Sequence, residues 1–324
     1  MVHHIARRPL LAGIAGLGLA KPALAQGSAA ARPITIIVPF APGGSTDIVS
    51  RLLAERMTAL LGQPVQVENR AGANTIIGAE FVARARPDGH TLLMAAGTTL
   101  TINPVIVPNL PYKLEDFAPV MLATTFPFGI ITQMRGGAVD VPAWVAAAKA
   151  RPGQMTYGTN GPTTLTNVAM LMVMERLGIT MQDVTYRGDS AQLAAFMAGD
   201  LDVLVVSGGT AQPVHRDGRG RLIAWTSARR ITSTPDVPSI AEFAPGLDVL
   251  SWFGLLAPAR TPADMVQRVN SAANEALKDE RIRERLITEG QFLAGGSPED
   301  FAGFLSRSDT QWRPILSKLN VPRN

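Results

Sequence analysis

Pro33-Ile34-Thr35-Ile36-Ile37-Val38-Pro39-Phe40-Ala41-Pro42-Gly43-Gly44-Ser45-Thr46-Asp47, followed by Ile48-Val49-Ser50-Arg51-Leu52-Leu53-Ala54-Glu55-Arg56-Met57-Thr58-Ala59-Leu60-Leu61-Gly62, spells a buried strand, a glycine loop and an amphipathic helix. Ile34–Phe40 is a short apolar run, and Ile48, Leu52, Leu53, Met57, Leu60 and Leu61 recur at helical spacing. Ser45, Thr46 or Asp47 can cap the start of the helix, and Gly62 ends it. Such a loop gathers unpaired N–H groups at the positive end of a helix dipole, which attracts an anion. Gly43 and Gly44 let a ligand approach the backbone, and Ser45 and Thr46 add hydroxyls. An ordinary capped strand-to-helix turn accounts for the same residues equally well. The loop is neither a dinucleotide fingerprint, because Gly-x-Gly-x-x-Gly is missing, nor a P-loop, because no Gly-Lys-Ser/Thr follows.

Outward from this unit, short apolar runs alternate with helical periods. Strands are expected at 65–68 and 91–95, with a helix at 76–85 stopped by Arg86-Pro87-Asp88-Gly89. This βαβαβ order predicts a parallel sheet with right-handed crossovers. A second set follows, with strands at 128–132, 156–158, 184–186, 203–206, 222–226 and 250–256 and helices at 142–150, 164–177 and 190–198. Helices at 262–278, 280–289 and 298–319 close the chain. The expected fold is α/β, with two lobes whose mostly parallel sheets are flanked by helices. The first lobe spans 33–125 plus 230–324, the second 126–229, and the chain crosses the hinge twice. In such sheets ligands sit beyond the carboxyl ends of the strands, and the cleft between two units is the expected site.

Residues 1–25 read as a cleaved export signal. Arg7-Arg8 precede the apolar run Leu10–Ala20, and Ala23-Leu24-Ala25 is a small-residue cleavage site. The paired arginines resemble a twin-arginine signal, with Ala6 where a polar residue is usual. Losing Arg7, Arg8 and Lys21 lowers the net charge from +4 to +1, so basicity does not argue for a nucleic-acid partner. The chain has 324 residues and no cysteine, which excludes disulfides, thiolate metal sites and a cysteine nucleophile.

Other candidates cluster after strands. Tyr157-Gly158-Thr159-Asn160-Gly161-Pro162-Thr163-Thr164 is a second loop leading into a helix, and two such loops in matching places suggest a carboxylate at each helix end. Thr98 and Thr99 would lie beside the first loop. Tyr186-Arg187-Gly188 and Ser207-Gly208-Gly209 each end a strand and can line the cleft, though a surface arginine and a plain loop explain them as well. His90 and His215 stand far apart near turns without acidic partners at metal spacing, and no Gly-x-Ser-x-Gly elbow occurs. No catalytic constellation, cofactor or metal is expected.

The chain resembles the substrate-binding proteins of tripartite tricarboxylate transporters, also called Bug receptors. The resemblance rests on Ile37 to Asp47, Val67-Glu68-Asn69-Arg70-Ala71-Gly72-Ala73, Pro87-Asp88-Gly89-His90-Thr91-Leu92, Tyr157-Gly158-Thr159, Tyr186-Arg187-Gly188, Ala198-Gly199-Asp200, Pro235-Asp236-Val237-Pro238-Ser239 and Gly254-Leu255-Leu256-Ala257-Pro258. It implies a periplasmic two-lobed receptor, monomeric, that closes on a small carboxylate and docks on membrane permease subunits. It implies a first jaw of Phe40, Ala41, Gly43, Gly44, Ser45, Thr46 and Asp47, and a second of Thr159, Asn160 and Thr164, with Ser207 a weaker candidate; Thr98, Thr99 and Tyr186 join the site from their places after strands. Two places depart from the family pattern. Leu165, Thr166 and Asn167 stand where a serine pair and a histidine are common. Asp189 stands where a small apolar residue is usual, and a carboxylate there would repel a second ligand carboxylate if it points into the cleft. A ligand-sensing receptor for a signalling system, or a secreted enzyme using the same cleft, are the alternative readings.

Overall fold

β1 (Ile34–Val38) sends alternate side chains to opposite faces, and both faces are covered. Ile34, Ile36 and Val38 pack with Val49, Leu53 and Met57 of α1 (Ser45–Leu61), while Ile37 joins Ala79 and Val82 of α2 (Ile76–Ala83) on the other side. Each such aliphatic side chain contributes about 1.5–3 kcal/mol on burial, which fixes the helices to the sheet. The computed structural model describes Met1 and residues 32–186 and 188–318. The expected export signal, Met1 apart, the Arg187 of the Tyr-Arg-Gly motif and the last residue of the expected closing helix lie outside the described residues.

β2 (Val65–Asn69) and β3 (Thr91–Ala96) complete the first unit, and a π-helical turn at Thr98–Ile102 runs into α3 (Asn103–Ile106). Then come β4 (Phe117–Thr132), α4 (Val141–Ala150), β5 (Thr156–Thr159), α5 (Leu165–Leu177), β6 (Gln182–Thr185), α6 (Asp189–Ala198), β7 (Val203–Ser207), α7 (Gly208–Arg216) and β8 (Arg221–Trp225). β9 (Leu250–Pro258), α8 (Ala263–Leu277), α9 (Glu280–Thr288), β10 (Phe292–Leu293) and α10 (Pro298–Lys318) end the fold.

The strands follow the order β2-β1-β3-β9-β4-β7-β5-β6, with β8 and β10 also paired to β4. The expected parallel pairing holds in two wings: β1 lies parallel to β2 and β3, and β5 parallel to β6 and β7. The centre differs, because β3–β9, β9–β4, β4–β7, β4–β8 and β4–β10 are all antiparallel.

β4 joins the wings. Phe117–Pro127 pairs with β9, and Phe128–Thr132 pairs with β7 and β8. Only the second part reads as a strand in the sequence, because Pro119 and Pro127 interrupt the first. The sheet absorbs Pro119 at a register shift between Pro119 and Met121. The chain passes back between β8 and β9 beside the first crossing, and the buried Thr226 ties the two passages together. Its Oγ1 accepts from Phe128 N at 2.9 Å and donates to Val249 O at 2.8 Å.

α7 is a helix where the sequence suggests a loop. Gly208, Gly209 and Pro213 are poor helix formers, yet close packing requires the glycines: a Cβ on Gly208 would stand 1.9 Å from Glu289 O, and one on Gly209 2.9 Å from Ser45 Oγ. A similar approach holds α10 to the sheet, since a Cβ on Gly254 would meet the Phe301 ring at 2.3 Å. Phe301 is fully buried and packs edge-on to Trp252 with centroids 5.6 Å apart. Gly254→Ala is expected to destabilise the protein by about 1–3 kcal/mol through overpacking, read as a lower urea midpoint at unchanged slope.

Candidate functional site

The glycine loop after β1 is built from the inside by Asp47. Asp47 is buried, 4% exposed as a residue. Oδ2 accepts from Gly43 N at 3.0 Å and Arg51 Nε at 2.9 Å, and Oδ1 accepts from Asn69 Nδ2 at 2.9 Å. Asn69 Nδ2 also donates to Phe40 O at 3.1 Å, so one amide and one carboxylate hold both ends of the loop. Gly43 has φ +85°, a conformation that favours glycine. Burial pushes the Asp47 carboxyl up, but the hydrogen bonds from Arg51, Gly43 and Asn69 and the Arg51 charge outweigh it, leaving the group below its usual 3.8.

The cap differs from the expectation. Gly44, extended at φ −81°, is the N-cap of α1, and no side chain caps the helix. Because Gly44 brings no side chain to the cap position, the amides of Ser45 and Thr46, which have no intrahelical partner, meet no acceptor among the described residues.

These amides border a cavity of about 370 Å³. Phe40, Ala41, Gly43, Gly44, Ser45, Thr46 and Thr98 line it from the first wing, and Asn160, Thr164 and Ser207 line it from the second. Thr166, Asp189, Thr210 and the side chains of Phe126, Phe128 and Phe253 complete its main walls. The wings touch across it. Ser45 Oγ and Ser207 Oγ are 2.9 Å apart, Leu165 N lies 3.5 Å from Thr98 Oγ1, and Asn74 Nδ2 donates to Thr163 Oγ1 at 3.0 Å.

Four expected site residues stand outside the cavity lining. Asp47 is committed to the loop. Thr99 is fully buried, with its carbonyl accepting from Tyr112 Oη at 2.8 Å. Thr159 is also fully buried, donating to Asp183 Oδ1 at 2.5 Å and accepting from Gly161 N at 3.1 Å. Tyr186 packs its ring on the core beneath β7 and β8. The second loop does not mirror the first, because Leu165 N already faces Thr98 and the Thr164 hydroxyl turns back to Gly161 O at 2.7 Å.

The sequence reading missed the aromatic wall and Thr210. Phe126 and Phe128 flank Pro127, where β4 changes partners, and Phe253 lies on its neighbour β9. Only the pairing brings them to one cavity. Thr210 was hidden with the helix that carries it. Among the described lining residues no lysine, arginine or histidine occurs, and Asp189 is the one charged side chain.

Two parallel wings joined by shared antiparallel strands, with a cavity where they meet, are the fold of the periplasmic binding proteins. Within that class the chain belongs to the tripartite tricarboxylate transporter family: the model described as "Tripartite tricarboxylate transporter family receptor" matches residues 49–321. The chain is 31% identical over 306 residues to the protein BugT of Bordetella pertussis, covering 94% of each. A solved structure described as a periplasmic transporter superposes with a TM-score of 0.85 at 34% identity, covering 90% of this chain and 98% of that one. MatC from Rhodopseudomonas palustris, solved with bound malate, gives 0.81 at 29% identity, covering 88% of this chain and 99% of that one. No helix among the described residues is long and apolar enough to cross a membrane.

A carboxyl held below its ordinary pKa stabilises the fold above that value and loses the contribution as the pH falls through the lower, folded value. Asp47 therefore adds stability that is complete above about pH 4–5 and declines below it. Asp47→Asn is expected to be less stable at neutral pH and to show a flatter acid limb in melting temperature against pH; parallel acid limbs would contradict this role.

Proposed function

We propose that the protein is a periplasmic receptor that closes on a small organic carboxylate and delivers it to a membrane permease. The carrying observation is the loop at the start of α1, whose Ser45 and Thr46 amides lie unpaired at the positive helix end, on residues that line the cavity. The malate bound by MatC supports the ligand class. In this reading residues 33–125 plus 230–324 form one lobe and 126–229 the other, and the two passages beside Thr226 are the hinge. The lobes open by rotation about it and close when a ligand bridges them. The receptor acts as a monomer, exported by the signal at 1–25, and performs no chemistry on its cargo.

The carboxylate is held by amides in place of an arginine. Fixed N–H dipoles need no reorganisation to meet the charge, and they leave no buried cation when the site is empty. A thermal-shift screen against mono-, di- and tricarboxylates tests the reading, since a ligand at a hundredfold excess over its Kd stabilises by about 2.7 kcal/mol. No shift with any carboxylate contradicts it.

Gly44 gives a sharper test. Its φ is ordinary, and a Cβ would meet only Ala41 O, at 3.9 Å, so the fold tolerates a side chain there. Gly44→Leu is expected to keep the melting temperature of the empty protein while weakening carboxylate binding by at least about a hundredfold, roughly 2.7 kcal/mol, in calorimetry. Unimpaired binding would remove the loop from the site.

A further inference from the structure

Asp189, the first residue of α6, lines the same cavity as the α1 amides, from the second wing. Its partners among the described residues are all neutral donors. Asn160 Nδ2 donates to Oδ1 at 2.8 Å, and Ser207 Oγ and Thr210 Oγ1 each donate to Oδ2 at 3.2 Å. An ionised carboxylate only accepts, so it sets the direction of the hydrogen bonds beyond it. Ser207 spends its proton on Asp189, and the 2.9 Å contact between Ser207 and Ser45 is therefore Ser45 donating to Ser207. The Ser45 hydroxyl, a natural donor for an anion, is turned away from that task.

The cavity thus has two ends of opposite character. The α1 end offers N–H donors, while the Asp189 end offers a negative charge and the lone pairs of Ser45, Ser207 and Thr210. Only two hydrogen bonds, of 2.9 and 3.2 Å, separate Ser45 from Asp189. A negative charge at the opening of α6 also suits that helix's dipole, but a solvent-facing carboxylate would serve that role equally, whereas this one borders the cavity.

Resting on the reading that the α1 amides hold a carboxylate, we propose that Asp189 is the specificity-determining residue of the site: it selects a ligand with an ammonium group next to its carboxylate and excludes a second carboxylate. The ligand class is a free amino acid with an apolar side chain. The carboxylate meets the Ser45 and Thr46 amides, the ammonium meets Asp189, and the side chain lies against Phe126, Phe128 and Phe253. The short span between the two polar ends suits groups on one carbon, and the aromatic wall offers nothing to a third polar group. Like charges facing each other across a cavity repel, so a diacid loses affinity where malate-type ligands of relatives gain it.

The test uses the mature protein, dialysed free of carboxylates, and calorimetry with three matched series. These are the apolar L-amino acids from alanine to phenylalanine, the desamino acid of each (3-phenylpropanoate for phenylalanine) and the malonate in which a carboxylate replaces the ammonium (benzylmalonate). At least one amino acid is expected to bind more than about tenfold tighter than both of its analogues. Asp189→Asn is expected to bring that amino acid and its desamino analogue within about threefold of each other. A desamino acid or malonate binding as tightly as its amino acid overturns the proposal while leaving the carboxylate receptor standing. Binding by none of the three series overturns the proposal, and the screen against mono-, di- and tricarboxylates then decides the receptor reading separately. A folded Asp189→Asn protein that keeps the full preference also overturns the role of Asp189, and if that variant does not fold, the wild-type series decides.

Discussion

Everything at the site depends on where one carboxylate points. Asp47 sits in the first turn of α1, from where a carboxylate reaches back across the helix start without satisfying the amides of Ser45 and Thr46. Here it reaches one residue beyond the cap, into the loop, and is held by Gly43, Arg51 and Asn69. Gly44 takes the cap position and brings no side chain to it. The loop is therefore rigid while the helix end stays open. Rigidity matters because amides already fixed beside the cavity bind a charge with little ordering cost.

The contacts that close the cavity are small by comparison. A hydroxyl pair, a long amide contact and one asparagine reach across it. Each such hydrogen bond contributes on the order of 1 kcal/mol net. Opposing wings held this lightly suit two states of similar free energy, and a ligand that touches both wings shifts the balance by its differential affinity. The stiffer element is the paired passage at Thr226, buried and bonded on both sides, about which motion would occur.

Much of this was legible in the sequence, and the failures have physical causes. The strand, loop and helix of residues 33–62 follow from apolar spacing and two glycines, because those signals are local. The long β4 was hidden by Pro119 and Pro127, and the sheet accommodates the first by a bulge that only its neighbour β9 makes visible. Helix α7 was hidden by Gly208 and Gly209, whose small size answers to Glu289 and Ser45, remote in sequence. At the site, the hydroxyls of Thr159 and Thr164 looked like ligand donors. The structure engages them internally, with Asp183 and with Gly161, a choice that propensity does not encode. The direction of Asp189 depended on donors from three separate elements, so its sign was readable in the sequence but its aim was not.

The central claim is that a backbone helix end, without a cationic side chain, holds the ligand's negative charge. A crystal structure of the complex with the tightest-binding carboxylate tests it most directly. The account predicts carboxylate oxygens within hydrogen-bonding distance, about 2.7–3.2 Å, of the Ser45 and Thr46 amides. A carboxylate paired instead to an arginine or lysine, or seated away from the Gly43–Asp47 loop, would contradict it.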